Sequence, residues 1–260
     1  MKILVCIKQV PDTTEVRLDP ATGTLIREGI PSIINPDDKA GLEAALRLKD
    51  EHGANVAVLS MGPPQADLAL REALAMGADE AILLTDRAFG GADTWATSST
   101  LASAISGMEY DLIITGRQAI DGDTAQVGPQ IAEHLGIPNI SYAEDLRVEA
   151  DSVVVRRQYE DRSHTLRVKM PCLITALSEL NEPRYMTPRG IFEAFREREV
   201  KILTRADLAI DDGNIGLKGS PTRVMKSFTK AAKGKGTVVD LDARSAADWI
   251  TERLQEKFVL

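Results

Sequence analysis

Apolar positions in this chain fall into short blocks that alternate between strand-like and helix-like spacing. Residues 2–8 read KILVCIK, an apolar, β-branched run stopped by Gln9, Val10 and Pro11, and predict a buried strand. The next stretch, EVRLDPATGTLIREG, alternates apolar and polar residues about Thr22-Gly23, which predicts a hairpin set outside the core. A helix start follows: Asn35 can cap, Pro36 suits the first helical position, and Asp37 and Asp38 complement the dipole. That helix runs through GLEAALRLKDEH and stops at Gly53. Strands at 55–60 (NVAVLS), 81–84 and 111–115 (DLIIT) then alternate with helices at 65–76, 94–106 and 126–135. Strand–helix units with short links mean a parallel sheet covered on both faces by helices.

After Pro138 the rhythm changes. VEADSVVVRRQYE and SHTLRVKMPCLITAL are β-branched and alternating around a turn at 161–163, and predict an antiparallel extension of the sheet. Beyond Leu203 periodicity weakens, and 213–236 is rich in Gly, Ser, Pro, Lys and Arg, as in an extended arm. An amphipathic helix over 245–258 closes the chain. The expected division is an α/β domain at 1–212 and a C-terminal arm and helix at 213–260.

Composition narrows the class without changing this picture. A chain of 260 residues with 43% hydrophobic and 27% charged residues can bury a globular core. The net charge of −8 argues against a generic nucleic-acid binder, because phosphate contacts need a positive field. The opening MKILVCIKQV is too short for a signal peptide and has no small-residue cleavage site; no apolar run reaches membrane-span length. Cys6 and Cys172 lie in apolar runs and read as reduced core thiols of a cytoplasmic protein.

Ligands of open α/β sheets gather outside the carboxyl ends of the strands. Segments 6–9, 34–38, 60–63 and 116–128 fall there. The last, GRQAIDGDTAQVG, lies between a strand and a helix. Gly116, Gly122 and Gly128 let the backbone approach a ligand, Thr124 and Gln126 can hydrogen-bond it, and the following helix offers free N–H groups to a phosphate. Asp121 and Asp123 would repel a phosphate, so they are expected to cap the helix, bind backbone N–H groups or meet a ribose hydroxyl. A plain turn and cap is the alternative reading of the same loop.

Other chemistry is missing. There is no G-x-G-x-x-G after the first strand, no P-loop and no serine or cysteine nucleophile motif. His52, His134 and His164 are isolated, as solvated positions rather than metal ligands. Chemistry carried by a cofactor is the reading that is left. Segment 213–236 holds Lys218, Arg223, Lys226, Lys230, Lys233 and Lys235 with no acidic residue, interleaved with Val224, Met225 and Phe228. A solvated tail is one reading; the apolar anchors favour an arm laid across a protein partner.

The loop GRQAIDGDTAQVGPQIAEHLG, the opening ILVCIKQVPDT with its later INPDD, ALAMGADEA, and the late ELNEPRYMTPRGI resemble the β subunit of electron transfer flavoproteins over nearly the whole chain. The resemblance implies an adenine-nucleotide α-hydrolase-like fold and a heterodimer with a larger α subunit, on which 213–260 would pack. It also implies an adenine nucleotide in the α/β domain: AMP in ordinary carriers, FAD in electron-bifurcating ones. The family's cofactor contacts carry over to Cys6, to Asn35, Pro36, Asp37 and Asp38, and to Met61. They carry over further to Gly116, Arg117, Gln118, Ala119, Ile120, Asp121, Gly122, Asp123, Thr124, Ala125, Gln126 and Val127.

DTTEVRLDPATGTLIREG, DRAFGGADT and SPTRVMKSF are similar to the bifurcating subunits that serve acyl-CoA-type dehydrogenases. In those, NADH reduces the β-subunit FAD. One electron then goes to ferredoxin or flavodoxin and the other, through the α-subunit FAD, to the partner dehydrogenase. Gly122 is compatible with passage of the longer cofactor, and Arg117 or a neighbouring N–H is expected to stabilise its reduced, anionic ring. The family's docking loop for the dehydrogenase falls at 181–191 and departs from ordinary carriers at Pro188, Arg189 and Gly190; Arg184 and Tyr185 there either pack beside the strand end or dock the partner. A carrier holding AMP is the alternative within the family. A non-redox nucleotide sensor similar to universal stress proteins is the alternative outside it, though the glycine-spaced ATP motif of those proteins is absent.

Overall fold

A computed structural model describes residues 1–12, 17–18, 25–26, 31–225, 234 and 236–260. They form two compact units, Met1–Met225 and Lys226–Leu260. The first unit begins with β1 (Lys2–Cys6), β2 (Gln9–Pro11), β3 (Arg17–Leu18), β4 (Leu25–Ile26), β5 (Ser32–Ile34) and α1 (Pro36–His52). It continues with β6 (Asn55–Met61), α2 (Asp67–Met76), β7 (Glu80–Leu84), α3 (Thr94–Ile105), β8 (Leu112–Gly116) and α4 (Val127–Leu135). Then come β9 (Asn139–Glu149), β10 (Ser152–Gln158), β11 (Ser163–Lys169), β12 (Cys172–Ala176), α5 (Pro188–Arg196), β13 (Lys201–Leu203) and α6 (Gly216–Gly219).

A nine-stranded sheet runs in the order β11-β10-β9-β12-β8-β1-β6-β7-β13. From β9 to β13 every pairing is parallel; β10 runs antiparallel to both β9 and β11. The central strands are apolar throughout because each feeds two cores. Ile3 and Val5 of β1 pack into the cluster that holds Leu42 and Leu46 of α1 and Leu70 of α2. Leu4 and Cys6 face the other cluster, with Leu101 and Ile105 of α3 and Ile131 of α4. That two-sided burial is why these runs show no alternation. Gly53 (φ 64°) and Gly136 (φ 66°) end α1 and α4 in the left-handed conformation that glycine adopts at least cost.

Four features differ from the sequence reading. The run SHTLRVKMPCLITAL is two strands: β11 pairs antiparallel with β10 as expected, but β12 returns to the middle of the sheet, parallel to β8 and β9. An unforeseen helix, α5, starts at Thr187–Pro188, where the Thr187 hydroxyl accepts from Gly190 N at 2.9 Å. A Cβ on Gly190 would collide with Ala75 O, so glycine lets α5 press against α2. Asn35 makes no side-chain cap on α1. Finally, the start of the expected arm is docked: Ile215 and Ser220 are buried, Ser220 Oγ accepts from Asp93 N at 2.8 Å, and Thr222 N donates to the Asp93 carboxylate at 3.0 Å. Strands β3 and β4 pair antiparallel, while the Thr22-Gly23 turn lies outside the described residues, as do Lys226, Phe228, Lys230, Lys233 and Lys235.

The second unit contains α7 (Ala243–Glu256), begun by the Asp242 carboxylate accepting from Arg244 N and Ser245 N. No helix among the described residues is long and apolar enough to cross a membrane.

Candidate functional site

Two side chains from the start of α1 organise the carboxyl edge of the sheet. Asp38 Oδ2 accepts from Lys8 N at 2.7 Å, just past the end of β1, and its Oδ1 accepts from Gly116 N at 2.9 Å, at the end of β8. One carboxylate thus ties neighbouring strand ends together. Burial pushes its pKa up to about 7, against the pull of the N–H groups that bind it. Gly116 is required there: a Cβ would lie 2.9 Å from Asp37 Cβ and collide with the Asp38 carboxylate.

Asn35 does the equivalent for the loop that follows. It is fully buried; its Nδ2 donates to Gln118 O at 2.8 Å and its Oδ1 accepts from Ile120 N at 3.0 Å. Its own N–H donates to Lys8 O at 2.9 Å. Both polar atoms of the Asn35 side chain are thus bonded to the backbone of the loop, and two buried bonds of that kind outweigh a cap at the start of α1.

Of the roles expected for the acidic loop residues, the helix cap is not the one taken. Asp121 Oδ1 accepts from Lys8 Nζ at 2.6 Å and Asp123 Oδ1 from Gln118 Nε2 at 2.9 Å; neither caps α4. The N-terminus of α4 has no side-chain cap, which leaves its first N–H groups for an incoming acceptor. Gly128, in that first turn, lies against Thr115 and Thr175, and a side chain would not fit. Asp123 (φ 49°) and Ala125 (φ 51°) hold left-handed backbone without being glycine, a strain that marks the loop. Ala119 O accepts from Gly122 N and Asp123 N, at 3.1 and 2.9 Å, while the Cβ position of Gly122 faces open space. Gln126 accepts from Thr94 Oγ1 at 2.8 Å, and Thr124 is exposed.

Arg117 anchors its N–H on Ala176 O at 2.8 Å and brings Nε to 3.3 Å from Asp37 Oδ2. The geometry makes this an ion pair and not a hydrogen bond, so both atoms are buried without a hydrogen-bond partner. Burial pushes the Asp37 carboxyl up and the Arg117 charge pulls it back. Ser60, next to the half-buried Met61 at the end of β6, has a buried and equally unpartnered Oγ. Cys6, at the end of β1, is buried and its thiol is pushed up to about 12, first by desolvation and then by Asp38; it stays protonated and is no nucleophile. Lys8 and Ser60 lie in the strand-end segments 6–9 and 60–63 that the sequence marks, without a residue-level signal that singles either of them out.

The histidines serve elsewhere. His134 lies 3.2 Å from the hydroxyls of Ser98 and Ser99 and edge-on to Trp95, and His164 packs on Tyr159. No group of three or more His, Cys, Asp or Glu able to hold a metal occurs among the described residues. A surface depression of about 580 Å³, lined by Met1, Lys2, Glu109, Tyr110 and Asp111 among others, lies at the opposite, amino edge. Arg184, at the second candidate segment, is fixed by Glu43 at 2.9 Å and Asp50 at 2.8 Å. Tyr185 beside it is 96% exposed, next to the exposed Met186, Ile191, Phe192 and Phe195. Packing claims the arginine; the aromatic ring is left free.

Comparison with known proteins adds a lineage to this geometry. A family model described as an electron transfer flavoprotein domain matches residues 22–208. The chain is 60% identical over 257 residues, 99% of each chain, to the electron transfer flavoprotein subunit beta of Clostridium acetobutylicum. It is 53% identical, over the full length of both, to the caffeyl-CoA reductase-Etf complex subunit CarD of Acetobacterium woodii. It is 45% identical, again over both full lengths, to the acryloyl-CoA reductase electron transfer subunit gamma of Anaerotignum propionicum.

Proposed function

This chain belongs to the electron transfer flavoprotein family, as a β-type subunit, and on that premise we propose that its carboxyl-edge loops hold FAD and pass electrons from NADH through a complex with an α subunit. The observation that carries the reading is the built edge itself. An uncapped helix start faces a loop locked by Asn35 and Asp38, beside three buried polar atoms (Asp37 Oδ2, Arg117 Nε and Ser60 Oγ) that the protein leaves without hydrogen bonds. Phosphate at a helix N-terminus, with hydroxyl and adenine partners on neighbouring strand ends, suits such a set.

When bound, a flavin supplies the redox chemistry, taking a hydride and giving electrons singly. The residues of the chain bind and orient. Gly116 and Gly128 let the loop and α4 pack closely on Asp38, Thr115 and Thr175, the first turn of α4 would offer its N–H groups to a phosphate, and Asn35 and Asp38 fix the loop. Such a flavin would supply one electron to ferredoxin or flavodoxin and the other, through the FAD of the α subunit, to an acyl-CoA-type dehydrogenase. The names of the relatives support that last choice, since two of them belong to complexes that reduce CoA esters. The exposed Tyr185, Ile191 and Phe192 suit docking of the dehydrogenase, and the basic segment 223–235 suits a grip on the α subunit. Two buried free thiols fit a cytoplasmic setting.

Open space at Gly122 is compatible with the longer FAD, and the names of the relatives in CoA-ester reductase complexes favour it over AMP. Co-purification with the α subunit, extraction and quantitation of the nucleotides test the reading. Two FAD per heterodimer, with bleaching of the flavin absorbance by NADH, are expected. One FAD and one AMP would return the chain to the simple carriers.

A further inference from the structure

Helices α3 and α4 lie side by side, and the two faces of the pair differ. Toward the sheet it is apolar: Leu101 and Ile105 of α3 and Ile131 of α4 join the core around Leu4 and Ile113. Between the helices runs a polar seam. Thr94 Oγ1 donates to Gln126 Oε1 at 2.8 Å. One turn on, the fully buried Ser98 shares its hydroxyl between Gln130 Oε1 at 3.1 Å and Trp95 O at 2.9 Å. A further turn along α4, His134 Nε2 lies 3.2 Å from the hydroxyls of both Ser98 and Ser99, and its ring meets Trp95 edge-on at 4.8 Å. On α4 the rungs fall at 126, 130 and 134, the spacing that puts side chains on one face of a helix.

Cohesion alone does not require such a seam. Apolar side chains in those places would bury surface without needing partners. What the rungs add is register. Apolar contacts tolerate sliding, whereas a shift of α4 along α3 by half a turn, roughly 2.7 Å, carries every rung beyond hydrogen-bond reach. Little else holds α4 lengthwise: it has nine residues, of which Gly128, Ile131 and Ala132 are buried, and no side-chain cap at its start. Gly128 presses that start on Thr115 and Thr175, near the ends of β8 and β12, so its first turn sits where the strand ends and the nucleotide loop meet.

We infer that the seam is a positioning device for the phosphate site. Thr94, Ser98 and His134 set the height of α4 along the sheet, so that the open N–H groups of its first turn meet a phosphate of the nucleotide. The inference rests on the FAD reading above and concerns how the phosphate of that cofactor is received.

His134 is the telling member of the three. It stands seven residues beyond the start of α4, roughly 10 Å along the axis, so an effect of His134 on a bound phosphate has to travel through the placement of the helix. Hydrogen bonds from helix N–H groups weaken steeply with distance and angle, which makes the first turn sensitive to a small lengthwise error. The sugar and base of a nucleotide make no use of those N–H groups and are insensitive to it.

The test is equilibrium dialysis of AMP and of adenosine against the intact α–β complex freed of the nucleotide of this subunit. AMP carries the phosphate and adenosine does not, so the ratio of their affinities isolates what the phosphate contributes. His134→Leu is expected to lower that ratio about fivefold with adenosine affinity unmoved, and His134→Gln, which keeps a polar group toward the serines, to stay near the parent. An unmoved ratio in His134→Leu overturns the inference while leaving the FAD reading intact. Equal losses of AMP and adenosine overturn it too, since the seam would then be plain scaffold. If His134→Leu does not assemble, Ser98→Ala is read in its place by the same criteria. A parent complex that binds AMP no better than adenosine overturns the inference and the phosphate-binding reading together.

Discussion

The two edges of one sheet treat the same chemical problem in opposite ways. Each must satisfy backbone N–H groups at the strand ends, and each does so with aspartates. At the amino edge Asp111 accepts from Lys2 N at 2.7 Å, and Asp79 accepts from Val56 N at 2.9 Å and from Lys49 Nζ at 2.6 Å. Lys49 also reaches Gly77 O, and Lys2 meets Glu109. These groups are closed against one another, and a surface depression of about 580 Å³ lies at the same edge. At the carboxyl edge Asp38 and Asn35 lock the backbone, yet Asp37 Oδ2 and Arg117 Nε meet only as an ion pair and Ser60 Oγ is buried without a hydrogen-bond partner. The aspartates of the two edges thus differ in how fully their oxygens are hydrogen-bonded, although Ser103 Oγ, in the last turn of α3 toward the amino edge, is also buried without a partner. A buried group without a hydrogen bond costs stability, about 1–3 kcal/mol, a cost that the Asp37–Arg117 ion pair partly offsets and that Ser60 Oγ carries in full.

The sharpest way to break this contrast is to add one methyl group at each edge. Gly116→Ala drives a Cβ into the Asp38 carboxylate and the backbone of α1, and is expected to cost about 3 kcal/mol and to abolish nucleotide retention. Gly53→Ala, where α1 ends near the amino edge, meets open space and carries only the left-handed strain, about 1–2 kcal/mol. Its nucleotide content should match the parent. Denaturant unfolding and nucleotide extraction on both variants decide; equal loss of nucleotide would show that the carboxyl edge has no special role.

Matched carboxylates sharpen the comparison. Asp38→Asn and Asp79→Asn each leave an N–H against an amide that cannot accept twice, and each should cost about 1–3 kcal/mol. Only Asp38→Asn is expected to weaken nucleotide binding, by about tenfold, or about 1.4 kcal/mol, because only Asp38 holds the loop-bearing strand end. Similar unfolding midpoints with divergent affinities would separate scaffold from site.

Asp38 also gives the edge a pH signature. Burial raises its carboxyl from 3.8 to about 7, so between those values the folded protein holds a proton that the unfolded chain releases. The stability contributed at this position therefore falls as pH rises through that window and is level above it. Measured as the parent minus Asp38→Asn, unfolding free energy should decline from pH 4.5 to 7.5. A rise would place the folded pKa below the ordinary value instead.

The parallel core was legible because its strands are buried on both faces, as KILVC and DLIIT advertise. Strand β12 was hidden because CLITA follows the alternating VKMP without a loop, and only Pro171 marked the break. Helix α5 had its start signal, Thr187–Pro188, inside a segment that drew attention as a docking loop. The glycines and strand-end position of the site loop could be read directly. The work of Asn35 could not, since its partners Gln118 and Ile120 lie 83 and 85 residues away and local pattern suggested a cap. Residues that act through distant backbone have no periodicity to betray them.

The smallest expected effect lies at the rim, where Lys8 Nζ meets Asp121 Oδ1 across the mouth between β1 and the loop. The lysine side chain is 45% exposed and the aspartate 11%, so water screens the pair and its worth is at most about 1 kcal/mol. Lys8→Met should leave the unfolding midpoint nearly unchanged, because the tether on Lys8 N is a backbone bond that survives the substitution. It should nevertheless free Asp121 to repel an incoming phosphate and slow nucleotide association, most visibly at low salt. Stopped-flow binding at two ionic strengths reads this directly. A slower association that vanishes in high salt keeps Lys8 as an electrostatic escort. A salt-independent change would mean that the loop itself had moved, and the carboxyl edge would then owe its order to a surface ion pair as much as to Asn35 and Asp38.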